Sequence, residues 1–116
     1  QDIILNYLSI LILYKINFHP IFPNIKRYIV NINSDKNESH RILNEASFIF
    51  KSANIDSEIL SLSGEKLESI LDYQKSINAD IIAMGAYSHN RFKSAIFGSF
   101  TTNMILKSKV PLLLFR

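Results

Sequence analysis

The sequence predicts an α/β domain built on an open parallel sheet, and three observations carry that expectation. From Arg27 onward, apolar segments of strand period alternate with segments of helical period. Turn-forming clusters, Asn33-Ser34-Asp35 and Ser63-Gly64, separate them. The run Ile81-Ile82-Ala83-Met84 is apolar at every position, which suits a strand buried on both faces between helices. Strands alternating with helices imply a parallel sheet with right-handed crossovers.

In chain order, the apolar stretch Ile3 to Ile16 comes first. It is interrupted by Asn6, Tyr7, Ser9, Tyr14 and Lys15, and it falls short of the roughly 20 residues a bilayer span needs. It has neither a basic leader nor a small-residue cleavage site, so neither a signal peptide nor a membrane partner is expected. Ile4, Leu8, Leu11 and Ile12 recur at helical spacing, and a buried helix is the expectation. Arg27 to Ile32 then reads as a strand on Tyr28, Val30 and Ile32. Asp35 and Glu38 form a capping-box pattern ahead of a helix carrying Ile42, Leu43, Ala46, Ile49, Phe50 and Ala53, with Asn54 as its stop. Ile55 to Leu62 is a second strand, followed by a helix burying Leu67, Ile70, Leu71 and Ile77. Ala79 to Met84 is a third strand, Gly98 to Lys107 the last helix and Val110 to Phe115 the last strand.

Composition bounds the function. With 116 residues, 47% of them apolar, the chain is sized for a single domain. The absence of Cys excludes disulfides and thiolate metal sites, and it accords with a reducing cytoplasm. The net charge of +3 is spread along the chain with no Lys/Arg stripe, so no nucleic-acid partner is expected. His19 and His40 lack spaced ligand partners, and no metal site is expected. Ser99 lacks the Gly-x-Ser-x-Gly elbow, and no Ser/His/Asp set supports catalysis. The phenylalanines, among them Phe48, Phe50, Phe92, Phe97, Phe100 and Phe115, read as core.

In parallel sheets ligands bind beyond the carboxyl ends of the strands, which directs attention to the segment after Met84. Gly85 ends the strand, and Gly98-Ser99 opens a helix whose free amides and dipole attract an anion; Ser99 and Thr101 add hydroxyl donors. Taken alone, a Gly-Ser pair reads more readily as a helix cap than as a site. His89, Arg91 and Lys93 could steer an anion or simply face water.

The spacing Gly85, two residues, Ser88, nine residues, Gly98-Ser99 resembles the phosphate loop of the universal stress protein family, Gly-x2-Gly-x9-Gly-(Ser/Thr), with one Gly replaced. Asp80-Ile81-Ile82-Ala83-Met84-Gly85 looks like that family's fourth strand, and Val110-Pro111-Leu112-Leu113-Leu114-Phe115 like its last. The resemblance is dense from Asp80 to Arg116 and thinner back to Tyr28. It implies that loop glycines and the helix start hold the phosphates and ribose of an adenine nucleotide, ATP or AMP, and that the end of the second strand touches adenine. Carried onto this chain, it implicates Met84, Gly85, Ser88, Gly98, Ser99, Phe100 and Thr101, with Ile32 at the base.

Two departures accompany it. Ser88 stands where the family has Gly, and a positive φ there would cost roughly 1–2 kcal/mol. Two charge-assisted hydrogen bonds to phosphate, each worth roughly 1.5–3 kcal/mol, could outweigh that cost. The family also begins with a central strand ending in an Asp, and no counterpart is evident here. Leu8 to Ile16 could be forced into that strand, but Pro20 and Pro23 leave too short a crossover, so a truncated front, or one built differently, is expected. The resemblance further implies a homodimer, or a tandem pseudo-dimer, through Val110 to Phe115, because an apolar edge strand invites pairing. A member that keeps the fold for dimerisation and signalling without binding nucleotide is the alternative.

Overall fold

The computed structural model describes residues 10–85 and 98–115. The β-branched and aromatic runs form five strands: β1 (Leu11–Asn17), β2 (Asn24–Ile32), β3 (Glu58–Leu62), β4 (Ile81–Gly85) and β5 (Leu112–Phe115). Three helices connect them: α1 (Lys36–Ser52), α2 (Lys66–Ile77) and α3 (Ser99–Lys107). The strands lie in one sheet in the order β3-β2-β1-β4-β5. β2 pairs in parallel with β3, and β4 with β5, through crossovers that contain α1 and α3.

The centre of the sheet overturns two expectations. Leu11–Asn17 is a strand, where the spacing predicted a helix over Ile3 to Ile16. It takes the middle position of the sheet, so the front of the domain is built differently from a parallel first strand. β1 is antiparallel to both its neighbours, pairing Leu11 with Val30 on one side and with Met84 on the other. The sheet is therefore mixed rather than wholly parallel. Reversed direction removes the objection raised by Pro20 and Pro23, because an antiparallel pair needs only a hairpin loop and not a crossover. Residues 18–23 form that loop. The apolar run misleads because a central strand is covered on both faces and loses its alternation, which leaves it indistinguishable from a buried helix.

Each face of the sheet receives its own helices. α1 packs Ile42, Leu43 and Ala46 against Ile10 and Ile29. On the other face Leu11, Leu13, Val30, Ile82 and Met84 meet Ile70 of α2 and Met104 of α3. Burying each such side chain is worth about 1.5–3 kcal/mol, so this second, larger cluster fixes the register of the central strands. Phe48, expected in the core, is 71% exposed on the outer side of α1. Phe92 and Phe97 lie outside the described residues.

Caps set the helix ends. The Asp35 carboxylate accepts the Glu38 N–H at 3.2 Å, which is one half of the expected box; Glu38 turns to Arg41 instead of reaching back. Asn54, just past α1, adopts φ 60°. Gly64 takes φ 105° ahead of α2, and Glu65 caps it by accepting the Glu68 N–H at 3.0 Å. At the far end, Asn78 is left-handed and the buried Gln74 donates to the Ala79 carbonyl at 2.8 Å, turning the chain into β4.

Candidate functional site

The sheet's direction decides which candidate residues meet. β2 and β4 run the same way on either side of β1, so their carboxyl ends, Ile32 and Gly85, share one edge. Val30 and Met84 are level with Leu11, which places Ile32 one residue beyond Gly85. Two strand spacings separate them, about 10 Å. Because β1 is reversed, this edge carries its beginning, Ile10 and Leu11, while its end at Asn17 lies at the opposite edge. No Asp among the described residues occupies the place where the resemblance expects one.

Gly98 caps α3 at the same edge. Its carbonyl accepts the Thr102 N–H at 3.1 Å, and no side chain caps the helix. The amides of the first turn therefore point outward without intrahelical partners. Gly98 is exposed with φ −66°, and among the described residues a Cβ built on it meets nothing within 4 Å. This backbone conformation suits any residue, so the glycine is not required by its own φ.

The first turn divides its side chains between surface and core. Ser99 is exposed and available to a ligand, whereas Thr101 is 5% exposed. Phe100 packs against the larger core cluster. The Met84 side chain is 2% exposed within that cluster, so Met84 can offer an approaching molecule only backbone. Ser88 lies outside the described residues, together with His89, Arg91 and Lys93.

Sequence spacing missed one cation. The Lys66 ammonium sits 4.2 Å from the centre of the Phe100 ring, joining the start of α2 to the start of α3. Surrounding atoms strip water from it and lower its pKa below the ordinary lysine value. The signal was available in Ser63-Gly64-Glu65, which as a helix start places residue 66 in the first turn. A second polar group lies at the ends of β2 and β3. Lys36 donates to the Ser61 hydroxyl and the Leu62 carbonyl, each at 3.2 Å, and Ser61 meets the buried Ser39 hydroxyl at 2.7 Å. These contacts tie α1 to β3 and leave that part of the edge occupied by protein.

Among the described residues no group of three or more His, Cys, Asp or Glu lies together as a metal site, and no helix is long and apolar enough to cross a membrane.

Several known proteins are similar to this chain. The stress response protein NhaX of Bacillus subtilis is 31% identical over 95 residues, covering 82% of this chain and 56% of that protein. The universal stress protein Slr1230 of a Synechocystis strain is 28% identical over 98 residues, covering 83% of this chain and 34% of that protein. The chain thus spans about half and about a third of these relatives. Among solved structures, a universal stress protein from Archaeoglobus fulgidus superposes with a TM-score of 0.65 at 23% identity, over 77% of this chain and 70% of its own. A universal stress protein in complex with cAMP superposes with a TM-score of 0.63 at 21% identity, over 77% and 71%. These two share the fold. Residues 31–116 match the universal stress protein family, and the chain belongs to that family.

Proposed function

We propose that this chain is an adenine-nucleotide-binding module of a stress-response protein, holding ATP or AMP at the carboxyl edge of its sheet. The observation that carries it is the Gly98 start of α3, exposed and, among the described residues, without a side-chain cap and with open space where a Cβ would stand. Phosphate is the ligand that such a helix start favours, through outward amides and the positive end of the dipole. Gly85 and Ser88 complete the phosphate loop, Ser99 adds a hydroxyl, and Ile32 offers an apolar surface to the base. Phe100 and Thr101 hold the first turn in place from the core side. The cAMP complex of a structural neighbour, and a relative named for stress response, support this class of ligand and role. The compartment implied is the cytoplasm, and no catalysis is proposed.

A second reading has its own observation. β5 pairs only with β4 among the described residues, so it closes the sheet with an open edge, and Leu113 on it is 57% exposed. A homodimer, or a tandem pseudo-dimer, through Val110 to Phe115 would cover that edge. With no Asp at the centre of the ligand edge among the described residues, a dimerisation and signalling module without nucleotide is the alternative function.

Heat release of bound nucleotide from the purified protein, identified by mass, and calorimetric ATP titration separate the two. Gly98→Val should leave the fold intact, since there is room for the side chain, and abolish ATP binding. Ser88→Gly should tighten it. Unchanged ATP affinity in a folded Gly98→Val protein would place the site elsewhere, and no binding by either protein would favour the dimerisation reading.

A further inference from the structure

The β1–β2 hairpin extends past the rest of the sheet. β1 runs on from Tyr14, its last residue paired with β4, to Asn17, and β2 starts at Asn24, four residues before Tyr28 meets β3. On this overhang Lys15 is directly opposite Lys26. Opposed residues of an antiparallel pair leave the same face with Cβ atoms roughly 5 Å apart, a position in which like charges are unfavourable. Neither lysine is in an ion pair among the described residues. A cavity of about 310 Å³ opens beside them, lined by Lys15, Ile16, Asn17, Asn24, Lys26 and Tyr28. Its polar groups are two ammoniums, two amides and a phenol, with no carboxylate. Asp56 and Glu58 line an adjoining cavity together with Lys26 and Arg27 on the β3 side of β2, and the Asp80 carboxylate accepts the Ile16 N–H at the base of the overhang; none of the three lines this cavity.

The tip beyond the lysines is apolar. Phe18, Ile21 and Phe22 are 78%, 71% and 74% exposed. They are held in shape: Nδ1 of His19 accepts the N–H groups of Ile21 and Phe22, both at 3.1 Å, and the His19 ring stacks on Phe22. Lysines on a strand edge deter pairing with another chain, but three exposed apolar side chains beside them undo that protection. A projecting tip also offers a protein partner no groove. A fluid, negatively charged surface fits both features. At strand rise, Lys15 stands roughly 10 Å from Phe18, and interfacial apolar groups reach roughly 5–10 Å into the headgroup boundary. With the tip inserted, the lysine pair lies at phosphate depth.

We propose that this hairpin docks the protein on an anionic phospholipid surface, Phe18, Ile21 and Phe22 entering the interface while Lys15 and Lys26 share a headgroup phosphate. The sequence predicts no membrane partner because a surface contact of this kind is assembled only when the two strands pair. It is independent of the nucleotide site proposed above, which lies at the opposite edge of the sheet.

Co-sedimentation with vesicles tests it, using phosphatidylcholine alone and phosphatidylcholine mixed with phosphatidylglycerol. The chain should bind the mixed vesicles and not the neutral ones. Lys15→Ala and Lys26→Ala should each weaken binding roughly fivefold, the effect of one cation at such a surface. Phe22→Ser should weaken it by about tenfold through lost apolar burial. All these positions face solvent, and circular dichroism should show each variant folded. Gly98→Val should bind vesicles like the parent chain. Equal binding to neutral vesicles, or full binding by the double lysine variant, would overturn the proposal. So would calorimetric binding of pyrophosphate that depends on both lysines while vesicles stay unbound, because the cradle would then serve a soluble anion.

Discussion

Asp80 is where the reversed central strand can be tested most directly. Its carboxylate accepts the Ile16 N–H at 2.7 Å, and its own N–H donates to the Tyr14 carbonyl at 2.7 Å. Together these bonds fasten the far half of β1 to the start of β4, a contact that only an antiparallel β1 can make. Hydrogen bonds to a charged group are worth about 1.5–3 kcal/mol, and the exposure of Asp80 places this one at the low end. Asp80→Ala removes the side-chain acceptor and keeps the backbone bond to Tyr14. The expected loss is about 1.5 kcal/mol, which amounts to roughly tenfold faster hydrogen exchange at the Ile16 amide. Melting should fall by roughly 5 °C. Asp80→Asn keeps an uncharged acceptor and should lose about half as much. Amide exchange followed by NMR reads the effect residue by residue. If Ile16 exchanges at the same rate in Asp80→Ala while Leu11 responds, the start of β1 lies beside Asp80, the strand is parallel, and the hairpin is wrong.

Two further outcomes follow from the same structure. Leu113→Lys replaces a side chain that is 57% exposed on an edge strand, so the monomer's melting temperature should hold while light scattering shows any dimer dissociating; a full-length, single-domain protein that is already monomeric would refute pairing through β5. Lys66, whose pKa is lowered by partial desolvation of its ammonium, should react faster than Lys75 with an amine-acylating reagent at mildly alkaline pH, as measured by peptide mass. Its sign for stability is also fixed. The folded-state pKa lies below the unfolded one, so the charged form works against folding at neutral pH, and this site's contribution rises with pH through the folded pKa up to the ordinary lysine value. Lys66→Met should flatten that rise in chemical unfolding measured across the window, and an unchanged slope would contradict the desolvation of the ammonium.

The sequence by itself determined the elements whose local chemistry and period agree. Asp35 before an amphipathic run specifies the start of α1, Asn54 its end, and Ile81 to Met84 a strand buried on both faces; each is written in neighbouring residues. The Gly85 and Gly98-Ser99 spacing likewise located the candidate phosphate edge, since a strand end and a helix start are separately legible. Only the tertiary structure decided the fate of Leu11–Asn17. An apolar segment satisfies a buried helix and a central strand equally well, and its direction depends on partners distant in the chain: Val30 and Met84 on either side of Leu11, and Asp80 against Ile16. The pairing of Lys15 with Lys26, the cation of Lys66 on Phe100 and the exposure of Phe18 and Phe22 follow from those long-range choices. Period and capping are properties of adjacent residues, whereas register, strand direction and burial are settled by which surfaces exclude water together.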